Sequence, residues 1–212
     1  MNIAIIGTGN IGSGLALTLA RAGNTVTVAG KSADDGAKLA ARLASEAGVA
    51  VDSGTVAEAA ELADIVILAV PFGAIAGIAQ AVNLDGKIVV DLSNPVKDDF
   101  SGLTLGFTTS AAEETQKLLP GAKVVKAFNT VFAEIHGEGL DFNGRAVPAF
   151  IASDDEAAKG AVLDLAAGAG FDAVDAGPLS NARYLEPLGY MNIQFGYMLG
   201  HGTGIAPAWL KR

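Results

Sequence analysis

Apolar residues run along this chain in two alternating rhythms. Short, nearly continuous aliphatic runs occupy 2–6, 25–29, 49–51, 65–70, 87–91 and 123–127, the pattern of strands buried on both faces. Longer Ala- and Leu-rich segments with helical spacing lie between them, at 11–22, 34–47, 56–62, 73–82 and 111–119. Several open on capping signals: Ser32 with Asp34, Thr55 with Glu58, and Ser110 with Glu113. This alternation predicts an α/β fold, a Rossmann-type doubly wound and mostly parallel sheet. After about residue 128 the rhythm changes to a strand at 146–152, a helix at 154–167, a short strand at 173–175, an apolar helix at 184–199 and an irregular tail. No linker or charge block separates the parts. Residues 1–144 therefore form one sheet-bearing domain, with 145–212 a small helical and strand portion packed on it.

The first strand ends in Gly7-Thr8-Gly9-Asn10-Ile11-Gly12 and leads straight into a helix. In that context a Gly-x-Gly-x-x-Gly loop binds a dinucleotide pyrophosphate. Gly7 allows the tight turn, Gly9 lets the backbone approach the phosphates, and Gly12 lets the helix pack on the strand. The helix N-terminus then presents N–H groups and a positive dipole end to the anion. A lone match would be weak in a chain with 27 glycines; its position between strand and helix makes it strong.

Composition narrows the partners. The net charge of −9 argues against nucleic acid and anionic membranes. The chain has no cysteine, hence no disulfide or thiolate nucleophile, and its two histidines lie far apart, so no metal site is expected. The strand-like N-terminus has no signal-peptide character, and the longest apolar stretch, 65–79, is broken by Pro71, Gly73 and Gly77. The sequence thus predicts a cytoplasmic protein with no membrane span.

An NAD-binding loop carries an acid about 20 residues beyond the glycines, on the adenosine ribose. Here the second strand ends Ala29-Gly30-Lys31-Ser32. A small residue, a cation and a hydroxyl stand where the 2′-phosphate of NADP would lie, so NADP(H) is the expected cofactor. Asp34 and Asp35 are assigned to the first helical turn, where they favour the dipole. Three further strand ends carry Val70-Pro71-Phe72, Asn94-Pro95 and Phe128-Asn129-Thr130. Ligands of doubly wound sheets bind at such ends. Pro71, Asn94 and Asn129 are expected at the cofactor, with Phe72 and Phe128 as apolar walls. Ordinary turn and core roles are the alternative for each taken singly.

With these residues in view, the chain resembles the coenzyme F-420 (F420)-dependent NADP oxidoreductase family. The opening loop, Gly30-Lys31-Ser32 (lysine where arginine is usual), Asn94-Pro95, Ser110-Ala-Ala-Glu113, Lys126-Ala-Phe-Asn-Thr130 and above all Asp175-Ala-Gly-Pro-Leu-Ser-Asn-Ala-Arg183 are similar to its blocks. The resemblance implies hydride exchange between NADP(H) and a deazaflavin, or FMN or FAD, across a cleft closed by the C-terminal portion, in a homodimer. The same module is similar to the reductase part of six-span metalloreductases. Thr130, Arg183 and His201 are the candidate acceptor contacts.

Hydride transfer between stacked rings needs little acid–base help, and no clear proton donor stands at the strand ends. His201 is the one candidate; docking of the Gly-rich tail is the preferred reading for it. His136 and Lys159 read as solvated, and Arg183 as paired with Glu186 one turn on. The helix at 184–199 is apolar around most of its circumference, which predicts a subunit interface. A small-molecule carbonyl or imine reductase, and a non-catalytic NADP-binding redox sensor, are the alternative functions.

Overall fold

The computed structural model describes residues 1–210, apart from the side chains of 137 and 138. Six parallel strands form one sheet: β1 (Asn2–Ile6), β2 (Thr25–Ala29), β3 (Asp52–Ser53), β4 (Ile65–Leu68), β5 (Ile88–Asp91) and β6 (Lys123–Lys126), in the order β3-β2-β1-β4-β5-β6. The helices are α1 (Asn10–Arg21), α2 (Ala33–Ala47), α3 (Val56–Leu62), α4 (Ile75–Ala81), α5 (Ala111–Leu118) and α6 (Ala133–Glu138). Chain order reverses across β1 and β4, which leaves a crevice at their carboxyl ends.

Strand alternation sorts the core. Ile3, Ile5, Ile65, Ile67, Val90 and Val125 point to one face, and Ala4, Ile6, Val66, Leu68, Val89 and Val124 to the other. Each face is closed by helices, which is why the strands read as unbroken apolar runs.

The C-terminal part adds β7 (Pro148–Ile151), α7 (Glu156–Gly168) and β8 (Asp172–Asp175), then α8 (Ala182–Ile193) and a π-helical turn at Gln194–Met198. β7 and β8 make a separate parallel pair. Just beyond β7, Lys126 and Ala152 exchange both backbone hydrogen bonds across an antiparallel bridge. Side chains of β7 and α7 share one cluster with β1 and α1, so this segment continues the main core.

The edge strand lies at 52–53 rather than 49–51. α2 ends on Gly48 in the left-handed conformation (φ 63°), and the chain needs the next residues to come back into register with Thr27 and Val28. α6 has no counterpart in the sequence reading. Gly14 lets it lie against α1: a Cβ there would stand 2.9 Å from His136 Cβ. His136 is accordingly buried, not solvated; its Nδ1 lies 3.1 Å from Thr18 Oγ1 and its ring lies edge-on to Phe171. Burial lowers its pKa to about 4. Lys159 is also buried rather than solvated, its ammonium 2.9 Å from Glu156 and 3.4 Å from Asp175. Hydrogen bonding to Glu156 holds that ammonium above the usual lysine range.

Candidate functional site

The glycine loop is packed tightly inside and open outside. Gly7 (φ 126°) has no room for a Cβ against the Ala69 carbonyl, nor Gly12 against that of Gly7, whereas a Cβ on Gly9 would meet nothing within 4 Å. Gly9 caps α1 without a side-chain hydrogen bond, so the first-turn N–H groups of Asn10, Ile11 and Gly12 have no capping side chain. A glycine-loop helix end in this state fits an anionic diphosphate.

At the end of β2, Lys31 and Ser32 are exposed and Gly30 lies against Asp35 and Thr8. Ser32 does not offer a free hydroxyl here. It donates to Asp35 Oδ2 at 2.9 Å, its backbone N–H donates to the same oxygen at 3.0 Å, and its Oγ accepts from the Asp35 N–H. This capping box engages Asp35, and the Ser32 bonds hold its carboxyl below the usual aspartate range.

At the carboxyl ends of β4, β5 and β6 lies a cleft of about 610 Å³. It brings together Gly9, Asn10 and Ile11 with Val70 and Pro71 after β4, Asn94 after β5, and Asn129 and Thr130 after β6. The two asparagines form a reciprocal unit. Asn94 Nδ2 donates to the Asn129 carbonyl at 2.8 Å, and Asn129 Nδ2 donates to Asn94 Oδ1 at 2.9 Å and to the Leu185 carbonyl at 2.8 Å. α8 reaches them because Gly189 has no side chain; a Cβ would stand 2.8 Å from Asn94 Oδ1. Asn129 Oδ1, Thr130 Oγ1 and Glu134 Oε2, all on cleft residues, are buried and have no partner among the described residues. Such atoms are costly unless a ligand or water meets them.

Behind these loops sits a buried ionic cluster. Lys126 Nζ lies 2.9 Å from Glu186 and 3.2 Å from Asp91, and also donates to the Ser93 carbonyl. Asp91 further accepts from Ser93 and Thr115, and Glu186 from the Ala111 and Ala112 N–H groups at the start of α5. Burial pushes the Glu186 carboxyl up, against the pull of Lys126. The cluster ties β5, β6, α5 and α8 together directly beneath Asn94.

Other expectations change. Glu186 does not pair with Arg183, which instead makes a two-pronged bond to Glu113 (2.8 and 2.6 Å) and stands outside the cleft. α8 faces α5 across that position, so the inter-helix partner wins over the neighbour one turn on. His201 also lies outside the cleft, edge-on to Phe195 at 5.4 Å beside a smaller pocket with Leu188 and Ile205, which is tail docking. Phe128 packs on Phe171 in the core, Phe72 packs on the opposite core face, and Pro95 is buried, its carbonyl accepting from Thr104. Glu134, Phe100 and Tyr197 line the cleft without having been singled out. The first lies on the short α6 and the second on a loop that no periodicity marks; Tyr197 falls within the apolar helix expected at 184–199, whose cleft-facing side the pattern does not single out.

Among the described residues, no helix is long and apolar enough to cross a membrane, and no group of three or more His, Asp or Glu is placed to hold a metal ion. The family model for NADP oxidoreductase coenzyme F420-dependent matches residues 2–95. An F420-dependent NADP reductase of Methanothermobacter marburgensis is 33% identical over 204 residues, covering 89% of each chain. The metalloreductase STEAP3 of Rattus norvegicus is 31% identical over 88% of this chain but 36% of its own length. A solved Arthrobacter structure, named as a candidate F420-dependent NADP reductase, superposes with TM-score 0.77 at 32% identity, covering 94% of this chain and 95% of that one. With the glycine loop, the parallel sheet and the cleft at its carboxyl edge, this likeness over nearly the whole length places the chain in the coenzyme F420-dependent NADP oxidoreductase family.

Proposed function

We propose that this NADP-linked oxidoreductase passes hydride between NADPH and a flavin-like acceptor, a deazaflavin of the F420 type first, in the cleft at the carboxyl edge of the sheet. One observation carries the reading: the glycine loop lines the same 610 Å³ space as Asn129 and Thr130, whose buried Oδ1 and Oγ1 have no partner among the described residues. Residues 1–144 serve as the NADP-binding part and 145–212 as the part that closes the cleft.

In this reading the N–H groups of Asn10, Ile11 and Gly12 hold the diphosphate, and Lys31 meets the 2′-phosphate. Pro71 and Val70 support the nicotinamide. Asn129 Oδ1, held in place by the Asn94 pair, accepts from its carboxamide. NADPH, when bound, supplies the hydride, so the chain's own task is to align two rings and exclude water. Thr130 and Glu134 offer their free oxygens to N–H or O–H donors on the acceptor side. Arg183 has no part in this, being engaged by Glu113.

The test is NADPH oxidation, followed at the nicotinamide band, against F420, FMN, FAD, small imines and ketones. The reading expects turnover with the tricyclic acceptors and little with the others. Turnover confined to imines or ketones would move the chain to the carbonyl and imine reductase reading; tight NADPH binding with no turnover would favour the sensor.

A further inference from the structure

We propose that Phe100 and Tyr197 form an aromatic clamp at the mouth of the cleft that grips the planar ring of the electron acceptor and selects for it. This deepens the functional reading above and rests on it.

Three aromatic side chains line the cleft: Phe132, Phe100 and Tyr197. Phe132 is 7% exposed and belongs to the core, whereas Phe100 and Tyr197 are 51% and 57% exposed. The two exposed rings come from different elements, and each is held out by a feature that local folding alone does not favour.

Phe100 sits at the tip of a hairpin-like excursion after β5, closed by the Val96–Leu103 bridge. Its φ is 57°, the left-handed region that bulky residues avoid. Residues held there persist only where their surroundings over-determine them, and they gather at ligand sites. Here the surroundings are explicit. Lys97 N–H bonds to the Gly102 carbonyl at 2.9 Å and Phe100 N–H to the Lys97 carbonyl at 2.9 Å. Thr104 fastens the base of the excursion to Pro95. Tyr190 Oη on α8 donates to the Phe100 carbonyl at 2.8 Å. The backbone is strained, and the aromatic side chain it carries is left in solvent beside the cleft.

Tyr197 is presented by the π-turn that follows α8, a local widening of the helix that recurs at functional sites. Gly196 lets this turn rest on Phe132: a Cβ would stand 2.7 Å from Phe132 Cζ. The Tyr197 ring then lies edge-on to Phe132 at 5.5 Å. Since Tyr190 belongs to α8, which runs on into the π-turn, its bond to Phe100 ties the two ring-bearing segments to each other.

The occupant follows from the layering. With the nicotinamide against the strand ends, an acceptor stacks on its free side and turns its own outer face to the rim. A conjugated tricyclic ring gains from two aromatic neighbours there; a small aliphatic imine or ketone does not. Stacking on an aromatic side chain is substantial and tolerant of ring chemistry, so the clamp selects planarity rather than one named acceptor.

The test uses the full chain with Phe100→Asn, Tyr197→Ala and Tyr197→Phe. Asparagine tolerates a positive φ, so the first variant removes the ring without forcing the excursion to refold. Two quantities are read: steady-state KM for NADPH and for FMN or F420, and FMN binding to the protein–NADP⁺ complex by fluorescence quenching. Phe100→Asn and Tyr197→Ala are each expected to weaken acceptor binding about tenfold, the loss of about 1.4 kcal/mol of stacking, with NADPH KM within about twofold of wild type. Tyr197→Phe keeps the ring and is expected to match wild type. Wild-type turnover with both ring-deleted variants unchanged overturns the clamp and leaves the functional reading standing. A kcat loss in Tyr197→Phe also overturns it, because the hydroxyl and not the ring would then matter. A wild type that neither binds nor reduces the tricyclic acceptors removes the functional reading and the clamp together.

Discussion

Among the described residues Lys31, at the end of β2, makes no side-chain hydrogen bond or ion pair, as is also true of Lys97 beside the cleft. Lys126 and Lys159 are buried against carboxylates, and Lys38 and Lys117 pair along their own helices. Lys31 is exposed beside Ser32, whose hydroxyl is already committed to Asp35. The burden of recognising a 2′-phosphate therefore falls on Lys31 more heavily than the sequence suggests, where Ser32 looks like an equal partner. A charge-assisted hydrogen bond contributes about 1.5–3 kcal/mol. Lys31→Ala is expected to weaken NADPH binding about 10- to 100-fold while leaving NADH nearly unchanged, by titration of nicotinamide fluorescence. Equal losses for both nucleotides would remove the 2′-phosphate assignment. Other single residues were hidden for a physical reason. Glu186 and Arg183 sit three apart on one helix, and intrahelical pairing is the cheapest guess from sequence. Each instead meets a partner some 60 or 70 residues away, Lys126 and Glu113, and no local rule reaches that far.

At the scale of elements, the strands and long helices were legible because burial writes a period into them. The strand ends, and with them Asn94, Asn129 and Pro71, could be placed for the same reason. A helix of under two turns shows little period; seven-residue α3 was legible through its Thr55–Glu58 cap, which α6 lacks. α6 is six residues long, and what fixes it is the small residue Gly14 on another helix. α8 is intermediate: its apolar circumference is visible in the sequence, but which residues face inward is not. Leu185, Glu186, Gly189 and Asn192 turn into the protein, while Tyr184, Met191, Phe195 and Met198 stay exposed along the helix and its π-turn, close to exposed Leu199. A row of large apolar groups in solvent is what a subunit contact covers. We propose that this face joins two copies of the chain. Sedimentation at micromolar protein is expected to give a dimer that Met191→Asp with Phe195→Asp converts to monomer. A wild-type monomer at that concentration would remove the interface.

For the whole molecule, one buried side chain sets an acid limit that net charge does not reveal. His136, on α6, is held against α1 and Phe171, and its Nε2 has no partner among the described residues. Its pKa falls from 6.5 to about 4 because the folded protein accepts only the neutral ring readily. The unfolded chain therefore binds the extra proton between those two values and the native chain does not. Unfolding is favoured progressively as pH drops through 6.5 toward 4, and the contribution is fully present above 6.5. The shift corresponds to about 3 kcal/mol, most of which is lost by pH 4.5. Acidic groups with lowered pKa, Glu113 and Asp155 among them, lose their stabilisation at lower pH still, whereas the buried Glu186 carboxyl, pushed up, works in the opposite direction above pH 4.5, so comparison with a His136 variant is what isolates the ring. His136→Gln carries no titrating group. Urea unfolding at pH 7 and pH 4.5 is expected to show wild type losing about 2–3 kcal/mol more than the variant across that interval. The comparison of slopes is insensitive to whatever the substitution costs at neutral pH, since that cost is common to both conditions. If the two proteins weaken in parallel, the imidazole is already protonated or solvated in the native state, and the close seating of α6 on Gly14 would have to be given up.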